Sequence, residues 1–122
     1  MKPSPGKGGF EHKLWQDLVS KQRKKDGFEP VIEGRVRKGS SKAIDVLVYS
    51  ETEGYIGYEL TIHFENLVSN IIQDFEAGVS QVVVVTRDET ELKKAQEIVT
   101  ADSTLSSQLD KVVFSTISEF FD

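Results

Sequence analysis

The chain has 122 residues, 29% of them charged and 38% hydrophobic, a net charge of −5 and no cysteine. Such a length suits one domain around one core, and the absent cysteine removes disulfides, thiolate nucleophiles and cysteine-based metal sites together. No apolar run approaches the roughly 20 residues of a membrane helix and the start lacks the apolar segment of a signal peptide, so a cytoplasmic protein is expected.

Along the chain the elements read as follows. Residues 1–9, "MKPSPGKGG", hold Pro, Gly and Lys with no apolar residue after the initiator, which predicts a flexible leader or linker before a single domain over 10–122. A helix is predicted from about Phe10 to Lys25, with Phe10, Leu14 and Leu18 and the adjacent Trp15 and Val19 as its apolar stripe, closed by Gly27 in a left-handed conformation. Three extended runs follow at about 28–37, 42–50 and 54–62. Their separators "KGSSK" and "ETEG" are short and turn-rich, implying antiparallel hairpins. A helix over about 65–77 ends at Gly78, and "SQVVVVTRD" has the continuous β-branched run of a strand covered on both faces. "ETELKKAQEIV" is an amphipathic helix with an acidic first turn, "KVVFST" a short strand and "ISEFFD" a terminal helical turn. The order α-β-β-β-α-β-α-β predicts an α/β fold, a mixed sheet flanked by helices with a right-handed crossover into the fourth strand.

Charge is divided unevenly. Residues 1–42 carry 11 Lys and Arg against 5 acids, and the remainder 4 against 15. A basic front on an acidic body offers a local surface for a polyanion, although "KQRKK" alone reads more simply as a solvated helix face. The cations that make the patch more specific are Lys13, Arg35, Arg37, Lys38 and Lys42, because they come from different elements.

Two acids stand inside apolar strands: Asp45 in "AIDVLVYS" and Glu59 in "GYIGYELTIHF". Each alone could face solvent or pair with an arginine such as Arg35 or Arg37. If the two strands pair across "ETEG", the carboxylates come close, and in a poorly solvated spot one takes a proton or a cation settles between them. Mg²⁺ or Mn²⁺ suits such oxygen ligands.

With Glu11 early in the first helix, Asp45 in the second strand, Glu59 in the third and this element order, residues 9–86 resemble the restriction-endonuclease-like, PD-(D/E)xK nuclease superfamily. The resemblance implies a metal-dependent phosphodiesterase acting on DNA, with Asp45 and Glu59 holding Mg²⁺ or Mn²⁺ and Glu11 orienting a water. Position 61 departs from the pattern, carrying Thr61 where the family usually has lysine. Thr61 shares a strand side with Glu59, about 7 Å along, and hydrogen-bonds without supplying charge. Lys42 and Lys13 are candidate substitutes, and His63 a candidate base or phosphate contact. Without the lysine, the same fold can instead serve as a DNA-docking or assembly module of a larger protein, a mobile-element or DNA-transfer ATPase for example. An interaction domain with no nucleic-acid role is the third reading, in keeping with the net negative charge.

Overall fold

The computed structural model describes residues 9–37, 39 and 42–121. The expected leader lies outside these residues except for Gly9, and so does Lys38. The elements are α1 (Phe10–Lys25), β1 (Val31–Gly34), β2 (Ile44–Ser50), β3 (Gly54–Leu60), α2 (Leu67–Ala77), β4 (Gln81–Thr86), α3 (Glu89–Thr100) and β5 (Val112–Thr116). Short 3-10 segments cover Ser103–Lys111 and Ile117–Phe120. The chain is therefore α/β, with a five-stranded mixed sheet in the order β1-β2-β3-β4-β5 and helices on both faces.

β1, β2 and β3 are antiparallel neighbours, whereas β3, β4 and β5 run parallel. The switch follows from connection length: "ETEG" permits a hairpin, while α2 and α3 are the crossovers that parallel neighbours need. On one face α1 lays Trp15 and Val19 against Val46, Val48, Tyr58, Leu60 and Val85, with Ile117 and Phe120 closing the same cluster. On the other, Ile71 of α2, Ala95 and Val99 of α3 and Leu105 pack on Ile44, Leu47, Val82 and Val84. β4 is buried from Val82 to Thr86, as its unbroken β-branched run requires.

Three differences from the expected elements bear on function. The buried face of α1 is rotated from the expected stripe: Trp15, Gln16 and Val19 are buried, whereas Phe10 is 84% exposed. Gln16 belongs to that face because its amide has partners on the sheet. β1 is shorter than the expected 28–37, since it follows Pro30 and leaves the sheet after Gly34. The segment Ser103–Lys111, which lacks a helical or alternating apolar period, is held as a 3-10 turn by Leu105, which is fully buried.

Within β1, Glu33 takes φ 57°, a left-handed backbone rare for a residue with a side chain. The next residue, Gly34, pairs with Ile44 so closely that an added Cβ would stand 2.9 Å from Leu47 Cβ and 3.1 Å from Val31 Cβ. Neither neighbour is the free end of a long side chain, so the strands would have to part. Gly34→Ala is expected to destabilise the fold by about 1–3 kcal/mol, read as a lower urea midpoint at unchanged slope.

Candidate functional site

The functional geometry begins where the β2–β3 ladder stops. Pairing runs from Ser50–Gly54 to Val46–Tyr58, and the next step would set Asp45 opposite Glu59. There, instead of a backbone bond, the Asp45 carboxylate accepts from the Leu60 N–H, Oδ2 at 2.9 Å. Continuing the β1–β2 register past Ile32–Val46 sets Glu33 opposite Asp45. Glu33, Asp45 and Glu59 thus form one row of acids across three strands. On the far side of β3 the row ends at Val84.

Neither central acid faces solvent: Asp45 is 8% and Glu59 5% exposed. Glu59 lies between Tyr58 and Leu60, which pack toward α1, and so points to the α2 side. There it meets Asp74 of α2, which is fully buried. Lys42, at the entry to β2, brings its ammonium 3.5 Å from Glu59 Oε2 and 3.4 Å from Asp74 Oδ1. The Lys42 ammonium thus stands between the carboxylates of Glu59 and Asp74.

Asp45 turns toward α1. Its Oδ1 lies 3.2 Å from His12 Nε2, and Gln16 Nε2 donates both to the Asp45 carbonyl, at 3.1 Å, and to Glu33 Oε2, at 2.9 Å. His12, Glu33 and Asp45 each bring a ligand atom within 4.8 Å of the other two.

Members of both groups, Lys42 and Glu59 of one and His12 and Asp45 of the other, line one open cleft of about 480 Å³ at the ends of β2 and β3. Glu11, His12, Lys42, Asp45, Glu59, Thr61 and His63 line it, with Asn66 and Asn70 at the start of α2 on the opposite wall. The expected residues thus have different fates. Asp45, Glu59 and Lys42 meet there. Glu11 lines the cleft, but its carboxylate is engaged by Arg87, with Nη2 2.9 Å from both oxygens. Arg87 also binds Glu91 and lies over the Trp15 ring, tying the start of α3 to α1. The Thr61 hydroxyl is buried and donates back to the Glu59 carbonyl at 3.3 Å. Lys13, Arg35 and Arg37 are exposed and His63 is exposed at the cleft edge.

Sequence reasoning did not single out His12, Gln16, Glu33 or Asp74. Asp74 had a legible signal, because it sits one turn after Ile71 on the apolar side of its helix. The others depend on register and on the rotation of α1. No protein-family model, curated protein or solved structure matches the chain. No described helix is long and apolar enough to cross a membrane.

Burial holds the Glu59 carboxyl well above the usual carboxylate range; hydrogen bonding with Asp74 and the Asp45 and Asp74 charges add to this, and Lys42 opposes it. Burial also raises Asp74, against the stabilising contacts of Glu59 and Lys42. Burial pulls Lys42 down, but Glu59 and Asp74 more than reverse it and the ammonium is held. Glu59 therefore keeps its proton to higher pH than a solvent-exposed glutamate would. The folded state then keeps a proton that the unfolded chain gives up near pH 4.3, so this stability is present at low pH and is lost as pH rises toward the raised value. Glu59→Gln should remove the loss. Its stability relative to wild type, followed by urea melts from pH 4 to 8, should rise with pH by at most about 1.4 kcal/mol per pH unit.

Proposed function

We propose that this chain is a restriction-endonuclease-like domain that binds DNA and hydrolyses phosphodiester bonds. Lys42 would serve in place of the lysine missing at Thr61. The observation that carries this reading is the meeting of Asp45, Glu59 and Lys42 at one cleft, with the ammonium 3.5 Å from Glu59 Oε2. Lys42 enters from the start of β2, far from position 61 in sequence but beside Glu59 in space.

Both acids line the cleft in which a divalent ion would be bound. Asp45 and Glu59 offer oxygen donors, the kind that Mg²⁺ and Mn²⁺ take, and the Lys42 ammonium lies 3.5 Å from Glu59 Oε2. Asp45 and Glu59 would hold the divalent ion, and when bound such an ion polarises a phosphodiester oxygen and acidifies a water. Lys42 supplies positive charge next to the reacting phosphate, where negative charge grows in the transition state. The Leu60 N–H fixes the Asp45 carboxylate in place. The first turn of α2, which has no acidic residue, borders the cleft and favours a phosphate there. Lys13, Arg35 and Arg37 would contact the DNA backbone, making binding salt-dependent.

A second reading, a docking module of the same fold, is favoured by Lys42 bridging Glu59 and Asp74, which already neutralises charge that an ion would otherwise answer. Incubation with supercoiled plasmid in Mg²⁺ or Mn²⁺ separates the two. The wild type is expected to nick it and the Asp45→Ala, Glu59→Ala double variant to leave it intact, while Lys42→Ala slows nicking by about 10²–10³. Salt-sensitive DNA binding without nicking at high protein concentration would replace hydrolysis with docking.

A further inference from the structure

The Asp45–Glu59 pair leaves His12 and Glu33 without a task, yet both converge on Asp45 from different elements. We propose that His12, Glu33 and Asp45 form a binding site for a divalent transition-metal ion, with Zn²⁺ and Mn²⁺ preferred over Mg²⁺. The site lies on the α1 side of Asp45, apart from the ion that the Asp45–Glu59 pair would hold. This site shares Asp45 with the hydrolytic reading but does not rest on hydrolysis.

Three observations carry it. First, the ligand atoms of the three side chains all lie within 4.8 Å of one another, and His12 Nε2 is 3.2 Å from Asp45 Oδ1. Bonds of about 2.0–2.2 Å to nitrogen and oxygen give adjacent ligands a separation of about 3.0–3.5 Å in octahedral or tetrahedral geometry, so this edge needs little adjustment. Second, the donors are oriented by outside partners. Leu60 N–H holds Asp45 Oδ2, which leaves Oδ1 turned to His12, and Gln16 Nε2 holds Glu33 Oε2. Such outer contacts typically set ligand orientation in metal sites. Third, the backbone of Glu33 is in the left-handed region, φ 57°, within a strand. That conformation costs free energy, and it occurs at the residue standing opposite Asp45.

Ligand chemistry sets the selectivity. Glu59, Asp74 and Lys42 form an oxygen-rich cluster already answered by an ammonium. The His12 imidazole, by contrast, favours Zn²⁺ and later transition metals, and two carboxylates keep Mn²⁺ competitive. Ions reach His12 and Asp45 from the cleft, which both line.

The test uses the full chain, stripped with chelator and titrated with MnCl₂. Free Mn²⁺ is followed by electron paramagnetic resonance, and Zn²⁺ and Mg²⁺ compete in separate titrations. One bound Mn²⁺ with a nitrogen coupling in the pulsed spectrum is expected, displaced by Zn²⁺ at lower concentration than by Mg²⁺. His12→Gln and Glu33→Gln should each weaken binding by more than about tenfold, at least as much as loss of an outer partner. His12→Gln should also erase the nitrogen coupling, while Glu59→Gln retains both. Urea melts without metal establish that each variant is folded. Absence of Mn²⁺ and Zn²⁺ binding by the folded wild type overturns the site. Binding lost in Glu59→Gln but kept in His12→Gln also overturns it, while upholding the Asp45–Glu59 pair. Plasmid nicking in Mg²⁺ judges the hydrolytic reading independently of either result.

Discussion

One hydrogen bond opens this molecule at the place where its chemistry gathers: the Leu60 N–H donates to the Asp45 side chain rather than to a carbonyl of β2. A backbone donor inside a sheet must be satisfied, and a carboxylate can satisfy it where the partner strand no longer does. The ladder ends without an orphaned group, β2 and β3 separate, and the cleft forms between their ends. The alternation of β2 changes at the same residue. Ile44 packs toward α2 and α3, whereas Val46, two positions on, packs toward α1. Asp45 therefore sits on a twist that lets it reach His12 on one side of the sheet while Glu59 reaches Asp74 on the other.

Burying so many acids together demands compensation, and the fold supplies two kinds. Glu59 and Asp74 are buried beside the Lys42 ammonium, which offsets part of the burial that raises both carboxyls. Asp45 and Glu33 are instead answered by directed donors from α1, His12 and the Gln16 amide. That requirement explains why α1 buries a glutamine and leaves Phe10 and Leu14 exposed. Helix rotation is settled by polar partners as much as by apolar area. The Arg87 guanidinium fixes the same helix from outside by gripping Glu11 and covering Trp15.

Much of the architecture was legible from pattern. α1 occupies the expected Phe10–Lys25, and the β-branched run at 81–86 is the buried strand β4. The turn-rich "ETEG" makes the expected hairpin, and the helix between β3 and β4 the expected parallel crossover. Asp45, Glu59 and Lys42 were legible as candidates because a charge inside or beside an apolar strand is anomalous in one dimension. Glu33, His12 and Gln16 were not, since each is ordinary in its local context. Their significance comes from cross-strand register and helix rotation, which no local period encodes.

Chain order, apolar periodicity and turn chemistry determined by themselves that this protein would be an α/β fold with helices flanking a mixed sheet. Those signals are local: side-chain spacing selects helix or strand, and separator length selects hairpin or crossover. The grouping of its charges was decided only in three dimensions. Lys42 joins Asp74 across 32 positions and Glu33 stands opposite Asp45 from a different strand, so their meeting depends on strand register and on the way α1 and α2 seat upon the sheet. Charge interactions are felt over a few ångströms of space, and only the packed chain sets those distances.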